Sequence, residues 1–544
     1  MTKLAELPPE KRRLLEQRLR EAQARKAQAL GPRPRDGRPF PLSFPQLRLW
    51  FLDRLSPGTA AYNIPVPVRF HGPLSAEALE RTLDALRERH ESLRTTFAEL
   101  DGEPVQVIHP FAPVPLPVDD LSHLSPDERE AEARRRVDED AHTGFDLERG
   151  PLWRARLLRL APEEHLLLLT LHHAIGDAWS LGVLTRELEA LYDALLHGRP
   201  DPLEPLPLQY ADFAAWQREH LDRPTVERHL AFWRRVLEGA PPALELPEYR
   251  PRPAEPSGRG EVLERRVPPA VAERVRAVAA AEDATPFAVV LAAFRLALAR
   301  HAGQGDVVLG TAAAGRERRE LAGVVGFVTN TLALRTELGG DPEFRALVRR
   351  ERDTLLDAFE HQVLPFEQVV AELKLSADPG RNPVFQAMVT YQGLADFQGG
   401  GYGGLRLGEA VGRGEPVDFQ LAKFDLAASV TQDADELWVH LQWASDLLDR
   451  PAAERIAHHA LRLLERGVED PGRRLSALDP MDAEERALVL GPWTRGAALP
   501  PAGEPVHRTF AARAAERPGA PALDGDPGPV SYAELDARAD RIAR

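Results

Sequence analysis

The sequence predicts an α/β protein, an α+β sandwich laid out in two blocks. Its 544 residues hold about three to four domains' worth of chain. Strand-like runs alternate with amphipathic helical stretches through both halves. One run, His165-Leu-Leu-Leu-Leu-Thr-Leu-His-His173, is apolar almost without a break, as a strand in the middle of a sheet must be.

In chain order, residues 1–38 hold a helix over 8–28, opened by Pro8 and Pro9 and carrying Leu14, Leu15 and Leu19 at helical spacing, followed by the linker Gly31-Pro-Arg-Pro-Arg-Asp-Gly37. It is either a solvated lead-in or a docking helix for another polypeptide. Residues 39–205 form the first block. Leu79, Leu83 and Leu86 line one side of a helix over 76–90, 105–109 is a short strand, and 127–141 is an exposed helix rich in Arg and Glu. The apolar run follows, and a helix over 181–196 stops at Gly198-Arg-Pro200. Residues 206–480 repeat the mixture, with helices at 269–282, 286–301 and 343–360 and strands at 306–309, 331–336 and 436–443. The stretch 393–408 reads as a flexible loop; its Gly399, Gly401 and Gly404 fit G-x-G-x-x-G, but no helix pattern follows, so dinucleotide binding is not expected. Residues 481–505 are a Gly/Pro/Ala-rich linker. Beyond it, 506–544 carry a helix at 506–516, a strand near 529–532 and the start of another helix, the opening of a further domain.

Composition narrows the function. Lys plus Arg number 69 and Asp plus Glu 84, a net charge of −15, which opposes nucleic-acid phosphates. The chain has no cysteine, so disulfides, thiolate nucleophiles, iron–sulfur clusters and Cys-ligated zinc are all excluded. The charged N-terminus has no apolar signal core, and no apolar run approaches the ~20 residues that cross a bilayer. A cytoplasmic protein with no membrane partner is the expectation.

The one site-like cluster is His172-His173-Ala-Ile-Gly176-Asp177-Ala178-Trp179-Ser180, where the apolar strand gives way to a loop and a helix. Neighbouring strand residues point to opposite faces, so only one of the two histidines lines a given cavity. An imidazole is suited to accept or position a proton near neutral pH. Taken alone, the pair reads more readily as a satisfied core histidine ending a strand. Zinc fits poorly, because the pair lacks i, i+4 spacing and His90-Glu91 has no second histidine in H-E-x-x-H register. Ala178-Trp-Ser180-Leu-Gly182 differs from G-x-S-x-G at one position, yet Ser180 lies too far past the strand for a nucleophile elbow.

His172-His173-Ala-Ile-Gly-Asp177-Ala resembles the H-H-x-x-x-D-G signature of the condensation domains of nonribosomal peptide synthetases, members of the chloramphenicol acetyltransferase-like superfamily. Ser43-Phe-Pro-Gln46-Leu-Arg48-Leu-Trp50-Phe-Leu52 is similar to the family's S-x-A-Q-x-R-L-W-x-L, with Pro45 for the usual Ala. Arg89-His90-Glu91-Ser-Leu93-Arg94-Thr95-Thr-Phe97 matches R-H-E-x-L-R-T-x-F. Tyr210-Ala-Asp212-Phe213-Ala-Ala-Trp216, Val325-Gly-Phe327-Val-Thr-Asn330, His361-Gln362-Val-Leu-Pro365-Phe366-Glu367 and Arg381-Asn382-Pro383-Val-Phe385-Gln386 follow in the family's order. The resemblance covers about residues 40–480. Val506-His-Arg-Thr-Phe510 and Val530-Ser-Tyr532-Ala-Glu534-Leu535 resemble the opening of an adenylation domain, without its ATP-binding motifs.

The resemblance implies two lobes in a V-shaped pseudodimer, an N-lobe (39–205) and a C-lobe (206–480), with a tunnel between them. It implies an acyltransferase that forms amide bonds, with His173 as the catalytic residue and His172 packed away from the tunnel. Asp177 is then a buried structural anchor, with Arg89 or Arg94 as its partner, and Trp216 and Asn330 lie near the tunnel or the lobe contact. The donor and acceptor ride on the 4′-phosphopantetheine arms of carrier proteins, so the chain itself needs no metal or cofactor. Ala178 stands where the family usually has Gly, which points either to a narrower acceptor side or to a shifted backbone only, and Gly176 is expected to return some backbone freedom. The absence of a D-x-x-x-x-D motif disfavours heterocyclisation, and the motif order points to joining L-residues. With about 40 residues before the first motif, the donor is expected from a separate polypeptide, or from acyl-coenzyme A or an acyl carrier if the domain is a starter type. The other readings are a carrier-recruiting scaffold and, more weakly, a free-standing coenzyme A acetyltransferase.

Overall fold

A computed structural model describes residues 30–247, 249–253, 257–375, 380–393, 405–415, 421–433, 436–494, 505–526 and 528–544. The expected helix at 8–28 and most of the glycine-rich stretch, 394–404, lie outside these residues. The chain divides into two units, 1–480 and 481–544.

The larger unit is built on two six-stranded sheets. In the first, the order is Arg406–Leu407, Ala410–Gly414, Asn63–His71, Glu164–His172, Trp153–Ala161, Val118–Asp120. The apolar run is its central strand, antiparallel to both neighbours, with Thr170 opposite Pro65 on one side and Arg154 on the other. It is buried on both faces because each face meets helices. Leu167 and Leu171 join Leu79, Leu83 and Leu86 of the helix Ala76–Arg89 and Leu184, Leu188 and Leu191 of the helix Ala178–Leu196. Leu166 and Leu168 face the other way, onto Ala133 and Val137 of the helix Pro126–His142. The strand Asn63–His71 contains Pro65 and Pro67, yet the ribbon beyond it is in register only with Val68–His71, so Pro65 falls where the strand has one neighbour and Pro67, at the ribbon's end, takes part only as an acceptor, its carbonyl receiving the Glu415 N–H at 3.0 Å.

The second sheet runs Asn330–Glu337, Asp306–Ala313, Ala387–Gly393, Leu426–Asp433, Glu436–Ala444, Gly260–Val267. Its core contains the helix Pro286–Ala302, every residue of which from Ala288 to Ala299 is buried. Arg295 on that helix is fully enclosed, and Glu351 neutralises it through a two-pronged pair at 2.5 and 3.0 Å. No single helix among the described residues is long and apolar enough to cross a membrane.

The two sheets correspond to the two lobes expected, but the chain does not divide between them at a single point. Residues 405–415, expected in the C-lobe, cross over and add two strands to the edge of the N-lobe sheet. The helix Tyr210–His220 also belongs beside the N-lobe, where Ala211 and Ala215 cover Phe40. Packing into the C-lobe core starts with the next helix, Arg223–Leu237, through Leu230, Phe232 and Trp233.

In the smaller unit, a helix Ala483–Leu490 occupies part of the stretch expected to be linker. The helices Val506–Glu516 and Tyr532–Ala543 and a two-stranded antiparallel ribbon, Pro521–Leu523 with Val530–Ser531, follow it, and the rings of Phe510 and Tyr532 lie 5.7 Å apart.

Candidate active site

The central strand ends at His172, and one tight turn, His173–Ile175, carries the chain through Gly176 to Asp177, which caps the helix Ala178–Leu196. Both ends of this short loop are held locally. The Ala174 N–H donates to His172 Nδ1 at 3.2 Å, and the Ser180 N–H donates to Asp177 Oδ1 at 2.9 Å as an N-cap. Gln46 pins the middle, its Nε2 donating to the Ala174 carbonyl at 3.1 Å.

The two histidines take opposite surroundings. His172 is buried among Tyr62 and Phe145, ring centroids 6.4 and 6.0 Å away. His173 is partly exposed, and its ring lies 4.3 Å from that of Phe327, which arrives from beyond the first C-lobe strands. Burial lowers both, His172 to about 3 and His173 to about 4, with Lys423 adding to the effect on each. His173 Nδ1 is buried and makes no hydrogen bond of good geometry, although the carbonyls of His173 and Gly176 lie near enough to favour a proton there. At neutral pH the ring is therefore an uncharged imidazole.

Asp177 is buried and bound to the opposite lobe. Arg316 donates to Oδ2 at 2.8 Å and to Oδ1 at 3.0 Å. Oδ2 also accepts the N–H groups of Val328 and Thr329, each at 3.1 Å, and the Thr329 hydroxyl at 2.9 Å. Burial would push this carboxyl up, but Arg316 and the surrounding donors outweigh it and hold it at about 2. Arg316 replaces both expected partners. Arg89 instead donates to Glu187 at 3.1 Å and to the Glu204 carbonyl at 2.7 Å, and Arg94 donates to the His109 carbonyl at 2.5 Å. Arg89 ends the helix Ala76–Arg89 and Arg94 ends the short turn Glu91–Arg94 that follows, and the partners of both lie elsewhere in the N-lobe.

The remaining expected residues reinforce the same joint. The Ser180 hydroxyl is fully buried, bonded to Asp177 at 2.7 Å and accepting the Gly326 N–H at 3.0 Å, so it holds the loop and is not a free nucleophile. Trp179 Nε1 donates to the Ala322 carbonyl at 2.9 Å. Asn330 lies at the start of a C-lobe strand, its Nδ2 donating to the Gln362 and Leu364 carbonyls at 2.7 and 2.9 Å. Trp216 stacks on His220 under the guanidinium of Arg318, and with Asn330 it lines a cavity of about 110 Å³. Gly176 sits at φ −165°, an extended conformation open to any residue, so it does not compensate for Ala178. Ala178 is exposed at the first helical position without a positive φ, so nothing in the backbone there calls for glycine.

Several residues of the site carried no role in the sequence reading. Gln46 and Ser43 were legible only as motif letters. Ser43 Oγ meets the Tyr210 hydroxyl at 2.7 Å, and that hydroxyl donates to the Phe327 carbonyl at 2.8 Å, tying the first motif to the segment that faces His173. Gly326 is glycine because a Cβ there would lie 1.9 Å from the Tyr210 ring. Lys423, leading into the C-lobe strand 426–433, places its ammonium 5.0 Å from the centre of the Tyr62 ring. Its side chain keeps a solvent-exposed surface, while the protein atoms packed around it and Arg48 lower it to about 8.

The condensation domain family matches residues 38–490. The chain is 42% identical over 96% of its length to one of the linear gramicidin synthase proteins of Brevibacillus parabrevis, and 37% identical over its whole length to phosphinothricin tripeptide synthetase PhsC of Streptomyces viridochromogenes. It spans 7% of the first relative and half of the second. Among solved structures, the X-domain in complex with OxyB from teicoplanin biosynthesis superposes over 84% of this chain and 98% of its own, at 31% identity and a TM-score of 0.74. The first condensation domain of the calcium-dependent antibiotic synthetase, in complex with a substrate analogue, shares the fold over 82% of this chain and 99% of its own, with a TM-score of 0.68 and 22% identity. The histidine turn, the buried aspartate and the two sheets therefore lie within a recognised family: the chain belongs to the condensation domains, the amide-forming acyltransferases of nonribosomal peptide synthesis.

Proposed function

We propose that this chain forms an amide bond, moving a thioester-bound acyl, aminoacyl or peptidyl group onto the amine of an aminoacyl group held by a carrier protein. One observation carries the reading: His173 is an uncharged, accessible imidazole on a turn that Asp177 and Arg316 fix across the lobes. The acceptor nitrogen attacks the donor carbonyl carbon and the C–N bond forms. His173 takes or orients the nitrogen's proton, the C–S bond breaks, and the leaving thiolate regains a proton. Holding amine and thioester in attack geometry supplies the larger part of the rate, an effect that reaches ~7 to 11 kcal/mol, and the imidazole adds proton acceptance.

The substrates arrive on phosphopantetheine arms from donor and acceptor carrier domains, and the chain acts in the cytoplasm without a cofactor of its own. The motif order supports the subtype that joins L-residues. The tail 506–544 is the opening of an adenylation domain, a reading supported by identity to the phosphinothricin synthetase across the whole chain. A second reading, a domain that recruits a partner without catalysing, draws on the 31% likeness to the teicoplanin X-domain, which is solved bound to OxyB.

The test is intact-mass detection of amide on an aminoacyl carrier protein, offered acyl-coenzyme A, acyl-carrier and aminoacyl-carrier donors. Product that vanishes with His173→Ala supports condensation, and the accepted donor separates starter from elongation chemistry. Tight binding of loaded carriers without product from any donor supports the recruiting role.

A further inference from the structure

Amide formation of the kind proposed above puts negative charge on the donor carbonyl oxygen when the amine adds, and an enzyme gains most by meeting that charge with donors already in place. His173 is neutral and has no positive charge to offer. The main-chain N–H groups around it are largely spent: Ala174 on His172, Gly326 on Ser180, Val328 and Thr329 on Asp177. Of the cations near the turn, Arg316 is committed to Asp177 and Arg48 to Glu367 at 3.0 Å.

Lys423 is different. Among the described residues it has no carboxylate partner, and it rests over the Tyr62 ring, itself beside His172. It comes from the C-lobe while Tyr62 and the histidines belong to the N-lobe, so it reaches from one lobe to the other, and its charge acts on His173 as well as on His172. Its position is fixed at the backbone, where the Lys423 carbonyl accepts from Asn382 Nδ2 at 2.7 Å. The chain holds five lysines among its 69 basic residues, so a lysine here departs from the protein's habit. A compact ammonium with three rotatable donors on a four-carbon stem suits a single oxygen better than a planar guanidinium does.

We propose that Lys423 is a further catalytic group, whose ammonium receives the donor carbonyl oxygen as it becomes an alkoxide. The inference rests on the amide-forming reading. As the C–N bond forms, the carbonyl π pair moves to the oxygen and is held by the ammonium; it returns as the C–S bond breaks and the thiolate leaves. Lys423 neither gives nor takes the proton in this sequence.

The test compares the full chain with Lys423→Met and Lys423→Arg, in single turnover with loaded donor and acceptor carriers and with His173→Ala in parallel. The Met variant is expected to lose about 10²-fold to 10³-fold in rate with little change in the concentration of carrier needed, and Arg to recover part of the loss. Binding supplies a readout that needs no turnover: a pantetheine-linked phosphonate, anionic and tetrahedral, measured against the matching neutral ketone. Wild type should prefer the phosphonate by at least about 10-fold, and the Met variant should not. A Met variant that keeps wild-type rate and preference while His173→Ala is inactive overturns the role of Lys423 and leaves amide formation standing. Rate loss confined to substrates that carry a side-chain carboxylate also overturns it, making Lys423 a specificity residue instead. If wild type turns over no donor, the amide-forming reading falls, and the phosphonate preference by itself decides whether Lys423 meets a tetrahedral anion.

Discussion

Asp177 collects seven hydrogen bonds, from Arg316, Ser180, Val328 and Thr329, more than the four or so lone-pair positions of a carboxylate serve singly. A carboxyl held at about 2 cannot exchange protons near neutrality, so its work is mechanical. Asp177→Asn leaves Arg316 buried and uncompensated, and a loss of about 3–5 kcal/mol is expected, read from urea denaturation of the variant. Arg89→Ala and Arg94→Ala should leave this joint untouched, and their denaturation curves can be compared with that of Asp177→Asn. The histidines give a pH dependence of the same sign over a higher range. His172 and His173 sit at about 3 and about 4 when folded, against ~6.5 unfolded, so below pH ~6.5 the unfolded chain takes up protons first. Stability should fall as pH drops from 6.5 towards 4, and His172→Phe should flatten that slope in denaturation series run at stepped pH. Asp177 resists until the pH passes below ~3.8, its unfolded value. His173 and Asp177 were legible in the sequence because their motif is contiguous. Arg316 was not, because it lies 139 residues from Asp177 in a chain rich in arginine, where spacing cannot choose a partner.

At the scale of elements, local chemistry reads well where an element has one amphipathic face or two apolar ones. The helices expected at 76–90, 127–141, 286–301 and 343–360 appear within one residue at each end. The helix expected from Leu181 starts three residues earlier, at Ala178, because Asp177 caps it while its other carboxylate oxygen serves the C-lobe. The strand 63–71 was hidden by its two prolines, and the crossing strands 406–407 and 410–414 by their shortness and glycine content. Their pairing is set by tertiary contacts that propensity does not encode. Gly412 is the tightest point of the crossing, since a Cβ there would stand 2.6 Å from the Phe70 ring and 2.8 Å from a Val68 methyl group. Arg69 anchors the end of the ribbon, pairing with Glu415 at 2.6 Å as well as with Glu130 and Glu164. Gly412→Val should detach the ribbon from the strand 63–71 without unfolding either sheet. Amide hydrogen exchange is then expected to rise at 410–414 while the central strand 164–172 stays protected, and an unchanged exchange pattern would count against the crossing as a tie between lobes.

Whether the two lobes behave as two domains or one is decided by what each lacks alone. Without the C-lobe, the Asp177 carboxylate would lose Arg316 and the donors of Val328 and Thr329, the edge of the strand 63–71 would be exposed, and the Tyr210 hydroxyl would lack the Phe327 carbonyl. Without the N-lobe, the segment 316–329 would lose the acceptors for Arg316, for the Gly326, Val328 and Thr329 N–H groups and for the Thr329 hydroxyl. The repeated alternation of strand and helix patterns made two blocks legible, but this mutual dependence was not, because every bond of the joint spans more than a hundred residues. An internal core in each lobe argues for some independence, and the shared polar joint argues against it. The joint should dominate, because the ~3–5 kcal/mol at stake in it is a large share of a net stability of about 5–15 kcal/mol. Native-state hydrogen exchange on the full chain separates the two cases. The slowest amides of the N-lobe strand 164–172 and of the C-lobe strand 426–433 are expected to report one opening free energy. Asp177→Asn should then lower both by the same amount, although it lies in one lobe. A variant that lowers protection in the N-lobe strand and leaves the C-lobe strand at its wild-type value would mean that the lobes unfold separately, and that the cleft around His173 is free to open by a lobe coming apart.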